Sequence, residues 1–97
     1  MKLSYVYILQ CSDDSYYTGV TSNLEKRLIE HLSAKYTNSY TAQRLPIKLV
    51  FYAEFTDINH AIAKEKQIKN WSRPKKEALI DGRYEELPNL AKKKFKK

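Results

Sequence analysis

A single cysteine, Cys11, is all the thiol that the 97-residue chain carries. One cysteine excludes an intramolecular disulfide framework and a thiolate metal cluster. At the end of a strand pattern, Cys11 reads as a small packing residue rather than a nucleophile. No apolar run approaches the ~18 residues that a spanning helix needs, and the first residues lack a signal-peptide pattern. The expectation is a soluble cytoplasmic protein with no membrane partner. Acidic residues are also scarce: eleven Asp and Glu face eighteen Lys and Arg, a formal net charge of +7. That excess favours a polyanionic partner, with nucleic acid ahead of an anionic membrane surface. Internal repeats and inter-domain linkers are absent, so one small domain with a modest core is expected.

What is present is organised around Tyr5 to His31, YVYILQCSDDSYYTGVTSNLEKRLIEH. The first strand alternates, with Leu3, Tyr5, Tyr7 and Leu9 on one face and Ser4, Val6, Ile8 and Gln10 on the other. Asp13, Asp14 and Ser15 supply turn chemistry, and Tyr16 to Thr21 reads as the returning strand of a hairpin. Ser22 followed by Glu25 has capping-box spacing, which starts a helix at about Asn23 and runs it to Ser33. Leu24, Leu28, Ile29 and Leu32 form its apolar face. Arg27 and His31, four apart, stand one above the other on the flank of that face.

Lys35 to Arg44 is polar, holds two tyrosines and reads as a loop with room for one helical turn. Its hydroxyls and the flanking Lys35 and Arg44 suit phosphate contact. Ile47 to Phe55, rich in β-branched and aromatic residues, reads as a third strand. With no crossover helices of the kind that build a large parallel sheet, a small, mainly antiparallel sheet follows. Asp57 caps a second helix of about Ile58 to Asn70. On its wheel Ile58, Ala61, Ile62 and Ile68 share a face, and Glu65 falls in the middle of it. A carboxylate there needs a partner. A buried salt bridge, with Arg27 as candidate, and a ligand position for a hard divalent cation are both open. Ser72 and Pro74 start a third helix that ends before Gly82, with Arg73, Lys75 and Lys76 in its first turn as candidate nucleic-acid contacts. Trp71 reads as a packing anchor at the joint. Residues 83–97 read as a basic, partly disordered tail that adds sequence-independent attraction to phosphates.

These residues carry a resemblance to the GIY-YIG nuclease superfamily, in particular its small single-domain bacterial members. Tyr5-Val6-Tyr7 stands in the place of the first motif and Tyr17-Thr18-Gly19 in that of the second. Arg27, one turn before His31, falls on the catalytic arginine, and Glu65 falls on the metal-binding glutamate. The resemblance spans Leu3 to Ile80 and implies an α+β fold, a three-stranded antiparallel sheet flanked by helices, over residues 1–82. It implies a Mg²⁺-dependent (or Mn²⁺-dependent) endonuclease acting on DNA ahead of RNA, in repair or recombination. The catalytic set would be Tyr7, Tyr17, Arg27, His31 and Glu65, with Glu65 on the metal and either tyrosine acting on the water. Three positions depart from the pattern. Tyr5 replaces the first-motif glycine, Thr18 the second-motif isoleucine, and Glu77 stands where many members have an asparagine. Two rival readings share the charge pattern: a binding module that kept the fold but cuts poorly, and a subunit that depends on a protein partner for its target.

Overall fold

The computed structural model describes residues 2–33 and 40–83. Lys35 and the stretch 84–97, most of the expected basic tail, lie outside the described residues. In chain order the elements are β1 (Ser4–Gln10), β2 (Tyr16–Thr21), α1 (Leu24–Leu32), a 3₁₀ turn (Ala42–Arg44), β3 (Lys48–Phe55), α2 (Ile58–Lys69) and α3 (Arg73–Ile80). The α+β architecture is the expected one: a three-stranded antiparallel sheet in the order β2-β1-β3, with helices against it.

β1 is central, and its sequence explains why. Both of its alternating faces are apolar in the middle, so Val6, Tyr7, Ile8 and Leu9 are all fully buried. Val6 and Ile8 pack with Ala61, Ile68 and Leu79, joined by Phe51, Phe55 and Trp71. Tyr7 and Leu9 pair with Gly19 and Tyr17 of β2, which places the motif residues of both strands on the opposite face. The hairpin turns at Asp14, the one non-glycine residue with positive φ among those described, at 71°. Asp13 Oδ1 accepts from the Ser15 backbone N–H at 3.1 Å, an Asx turn of the kind that stabilises such corners. Cys11 is buried at the strand end, as expected of a packing residue.

The helix starts correct two details. The N-cap of α1 is Asn23, not Ser22: Asn23 is extended, and its side chain accepts from the Lys26 N–H at 3.0 Å. The apolar stripe of α1 is also only half covered by described residues. Leu24 and Leu28 are half-buried, whereas Ile29 and Leu32 are 61% and 58% exposed. On α2 the buried stripe narrows to Ala61, Glu65 and Ile68, leaving Ile58 and Ile62 at the surface. Asp57 caps α2 by accepting from the Asn59 N–H. α3 ends in a Schellman arrangement, with Arg83 N–H on the Ala78 carbonyl, Gly82 N–H on the Leu79 carbonyl, and Gly82 at φ +77°. No helix among the described residues is long and apolar enough to cross a membrane.

Candidate active site

Tyr7 is the centre of the cluster. Burial pushes its hydroxyl up to about 12, helped by Tyr17 and opposed by the Arg27 guanidinium beside it. Its hydroxyl meets His31 Nε2 at 3.0 Å, a contact between β1 and the last turn of α1. The other ring nitrogen, Nδ1, meets Thr41 Oγ1 at 2.7 Å. Burial, and then the nearby Arg27, lower the His31 pKa from its ordinary 6.5, with Glu30 pulling the other way. The neutral imidazole is therefore favoured at pH 7.

The close approach is possible because of Gly19. A Cβ at this position would lie 2.5 Å from the Tyr7 hydroxyl oxygen and 2.6 Å from Cζ, so the Tyr7 ring occupies the space a side chain would fill. Gly19 is thus required by the tyrosine laid across it, not by a left-handed backbone. Tyr17 completes an aromatic nest, with its ring 6.3 Å from Tyr7, 5.4 Å from His31 and 6.0 Å from Tyr40, on which it stacks.

Glu65 enters from α2, 8% exposed. Its partner is not Arg27, as the wheel suggested, but Lys69 one turn on, at 2.7 Å. Arg27 instead pairs with Glu30 at 3.3 Å, and its side chain remains 41% exposed. Arg27 is thereby held at the rim with donors to spare. No group of three or more His, Cys, Asp or Glu converges among the described residues, so the donor set does not fit a metal caged by protein ligands. One carboxylate with water completing the sphere is the mode in which a hard cation such as Mg²⁺ is commonly held, and Glu65 fits that. Its ammonium partner is more than half exposed and free to swing aside.

The remaining candidates lie outside this nest. Arg44 binds Asp13 at 3.0 Å, donates to the Tyr40 carbonyl and covers the Tyr40 ring at 3.8 Å, clasping its loop to the hairpin turn. Arg73 bridges Glu77 and Asp14 and lies over Tyr16, while Lys75 covers Trp71. Lys76 has a pKa lowered by burial and by Arg73. Of the departures, Tyr5 packs edge-on against Tyr52 and Glu77 serves Arg73. A groove of about 490 Å³ between α1, Tyr5 and Tyr52 contains none of the five clustered residues.

The sequence reading missed Thr41 and Lys69. Lys69 was accessible, because a lysine four residues after a carboxylate on a helix is its natural partner. Thr41 left no signal: it is ten residues from His31, in a polar loop without periodicity.

A small α+β domain whose hairpin tyrosines touch a helical histidine, with a helical arginine and a buried glutamate nearby, has the form of a nuclease-like catalytic domain. Residues 3–78 match the family model described as the GIY-YIG catalytic domain, and the chain belongs to that family. It is 49% identical over 80 residues to a UPF0213 protein of Syntrophus aciditrophicus, covering 82% of this chain and 92% of the relative. It is 43% identical over 76 residues to one from Natronomonas pharaonis, covering 78% and 88%. The solution NMR structure of the UPF0213 protein of Bacillus halodurans is similar with a TM-score of 0.54 at 40% identity, covering 81% of this chain and 83% of that one.

Proposed function

We propose that this chain is a divalent-cation-dependent endonuclease that hydrolyses phosphodiester bonds in DNA, in repair or recombination, in the cytoplasm. The observation that carries the reading is the contact of Tyr7, Tyr17 and His31 around one part-buried tyrosine–histidine hydrogen bond, with Arg27 and Glu65 close enough to act on Tyr7 electrostatically. Glu65 would hold the cation, Mg²⁺ or Mn²⁺, with water filling the other positions. Held there, such a cation would supply Lewis-acid polarisation of the phosphate and offset charge on the leaving 3′ oxygen. Arg27, half exposed at the rim, donates charge-assisted hydrogen bonds to the phosphate and offsets the charge that builds in the transition state. Tyr7 takes a proton from the attacking water as it passes its own to His31, whose neutral ring can receive it. Tyr17 lacks that direct line, and its ring holds the nest and orients the nucleophile.

Lys35, Arg44, Arg73, Lys75 and Lys76 supply attraction to the backbone of the nucleic acid, with the basic stretch 83–97 adding to it beyond the catalytic unit of residues 1–82. Arg44 and Arg73 pair with carboxylates that are themselves well exposed, so exchanging them for phosphates costs little. A domain of this size touches a short length of nucleic acid, so shape or a protein partner selects the target.

The test is cleavage of a labelled panel of duplex, single-stranded, flap and junction DNA plus one RNA, with Mg²⁺, Mn²⁺ or chelator. Cutting that requires the cation and disappears in Glu65→Ala and Arg27→Ala supports the proposal. Salt-sensitive binding without cutting would replace it with the binding-module reading.

A further inference from the structure

His31 makes two ring contacts, Nε2 with the Tyr7 hydroxyl at 3.0 Å and Nδ1 with Thr41 Oγ1 at 2.7 Å. A neutral imidazole carries one N–H, so one contact is donated and the other accepted. The two possibilities differ in chemistry. A proton on Nε2 would point at the Tyr7 oxygen and block it from receiving another. A proton on Nδ1 leaves the Nε2 lone pair facing the Tyr7 hydroxyl.

Two observations decide between them. Of the two hydroxyls that meet the ring, the phenol of Tyr7 is the more acidic and the better donor and the aliphatic hydroxyl of Thr41 the better acceptor, which puts the phenolic proton on the Nε2 side. Thr41, 1% exposed, is held from its backbone. Its carbonyl accepts from the Arg44 N–H at 3.0 Å, the Arg44 carbonyl accepts from the Ser12 N–H at 2.9 Å, and the Arg44 side chain is locked to Asp13. The loop is thereby stapled to the β1–β2 turn, with the Thr41 hydroxyl fixed against the imidazole.

We infer that Thr41 is a positioning residue whose hydroxyl accepts the Nδ1–H of His31, orients the ring and leaves Nε2 as the acceptor of the Tyr7 proton. The catalytic consequence rests on the nuclease reading above. In the reaction the water oxygen bonds to phosphorus while the bond from phosphorus to the 3′ oxygen breaks. The water proton goes to the Tyr7 oxygen, the Tyr7 proton to Nε2, and the departing oxygen takes a proton from solvent. His31 ends as a cation whose Nδ1–H is already paired, so no buried donor is left without a partner.

The experiment is ¹⁵N NMR of the His31 ring nitrogens in the full chain, with single-turnover cleavage and DNA binding, for wild type, Thr41→Ser and Thr41→Val. The expected result is an unprotonated Nε2 in wild type, retained in Thr41→Ser. In Thr41→Val the tautomers mix and cleavage slows by about 10- to 100-fold, the range seen when partners that orient metal-bound histidines are removed, with DNA affinity unchanged. A proton on Nε2 in wild type overturns the inference. So does a Thr41→Val protein with wild-type tautomer and rate. Should Thr41→Val fail to fold, the wild-type and Thr41→Ser spectra still decide. Wild type that cuts nothing would defeat the nuclease reading, while the spectrum would still support or refute the hydrogen-bond assignment.

Discussion

Replacing Gly19 with alanine should damage the site by collision and not by backbone strain. The added Cβ would stand 2.5 Å from the Tyr7 oxygen, 2.6 Å from Cζ and 3.0 Å from Cε1. Ordinary carbon contacts are about 3.5–4.0 Å, so the ring must retreat by roughly 1 Å. It has little room, because Tyr7 is fully buried, with the Tyr17 and His31 rings at its sides. Overpacking of this kind costs about 1–3 kcal/mol, and the gain from alanine over glycine within a strand offsets about 0.5–1 kcal/mol. A net loss of up to about 2.5 kcal/mol lowers Tm by up to roughly 20 °C in a domain of this size, and the retreat breaks the bond to His31. Thermal and urea unfolding of Gly19→Ala in the wild-type and Tyr7→Leu backgrounds measures the coupling directly. The penalty should vanish once the tyrosine is gone. Gly82→Ala is the contrast: it meets nothing within 4 Å but sits at φ +77°, so it costs about 1–2 kcal/mol of strain and leaves the site intact. A Gly19→Ala penalty of equal size in both backgrounds would refute the steric account.

Other expectations follow from neighbouring residues. Thr18 buries its hydroxyl with no hydrogen-bond partner among the described residues, so Thr18→Val should stabilise the fold by about 1 kcal/mol, and destabilisation by chemical denaturation would contradict it. Lys69→Met removes the ammonium that a cation at Glu65 must displace. Mn²⁺ titration by water-proton relaxation should show binding tighter by up to about fivefold, the equivalent of about 1 kcal/mol for a partly screened pair; unchanged or weaker binding would count against Glu65 as ligand. Cleavage should hold steady at and above neutral pH and fall in acid with a midpoint below the ordinary 6.5, because His31 must be neutral and its pKa is lowered. The unfolded chain binds that proton more tightly than the folded one, so stability is lost in the same direction. A pH–rate profile without an acid limb would remove His31 from the proton path.

Much of this was legible in the sequence because short-range rules govern it. The alternation of β1, the Asp57 cap, Pro74 and Gly82 at the two ends of α3, and Glu65 on an apolar stripe each reflect a spacing of four residues or fewer. What depends on the third dimension was not legible. The apolar face of α1 is only half covered by described residues, and periodicity reports which residues align, not whether anything lies over them. Asn23 over Ser22 was a choice between adjacent capping residues that only backbone geometry separates. In the site, the motif tyrosines were visible, but the reason for Gly19 lies across a strand pair and the Thr41 contact across a loop.

The most direct measurement is single-turnover cleavage by Tyr7→Phe beside Tyr17→Phe, with folding and DNA binding checked in each. Tyr7→Phe deletes one oxygen from a buried ring, and that oxygen is the one bonded to His31. If Tyr7 carries the proton, its loss should cost about 10²- to 10⁴-fold in rate at unchanged DNA affinity, and Tyr17→Phe should cost far less. A Tyr7→Phe protein that cuts at the wild-type rate, with Tyr17→Phe inactive, would contradict the account and move the chemistry to the other strand.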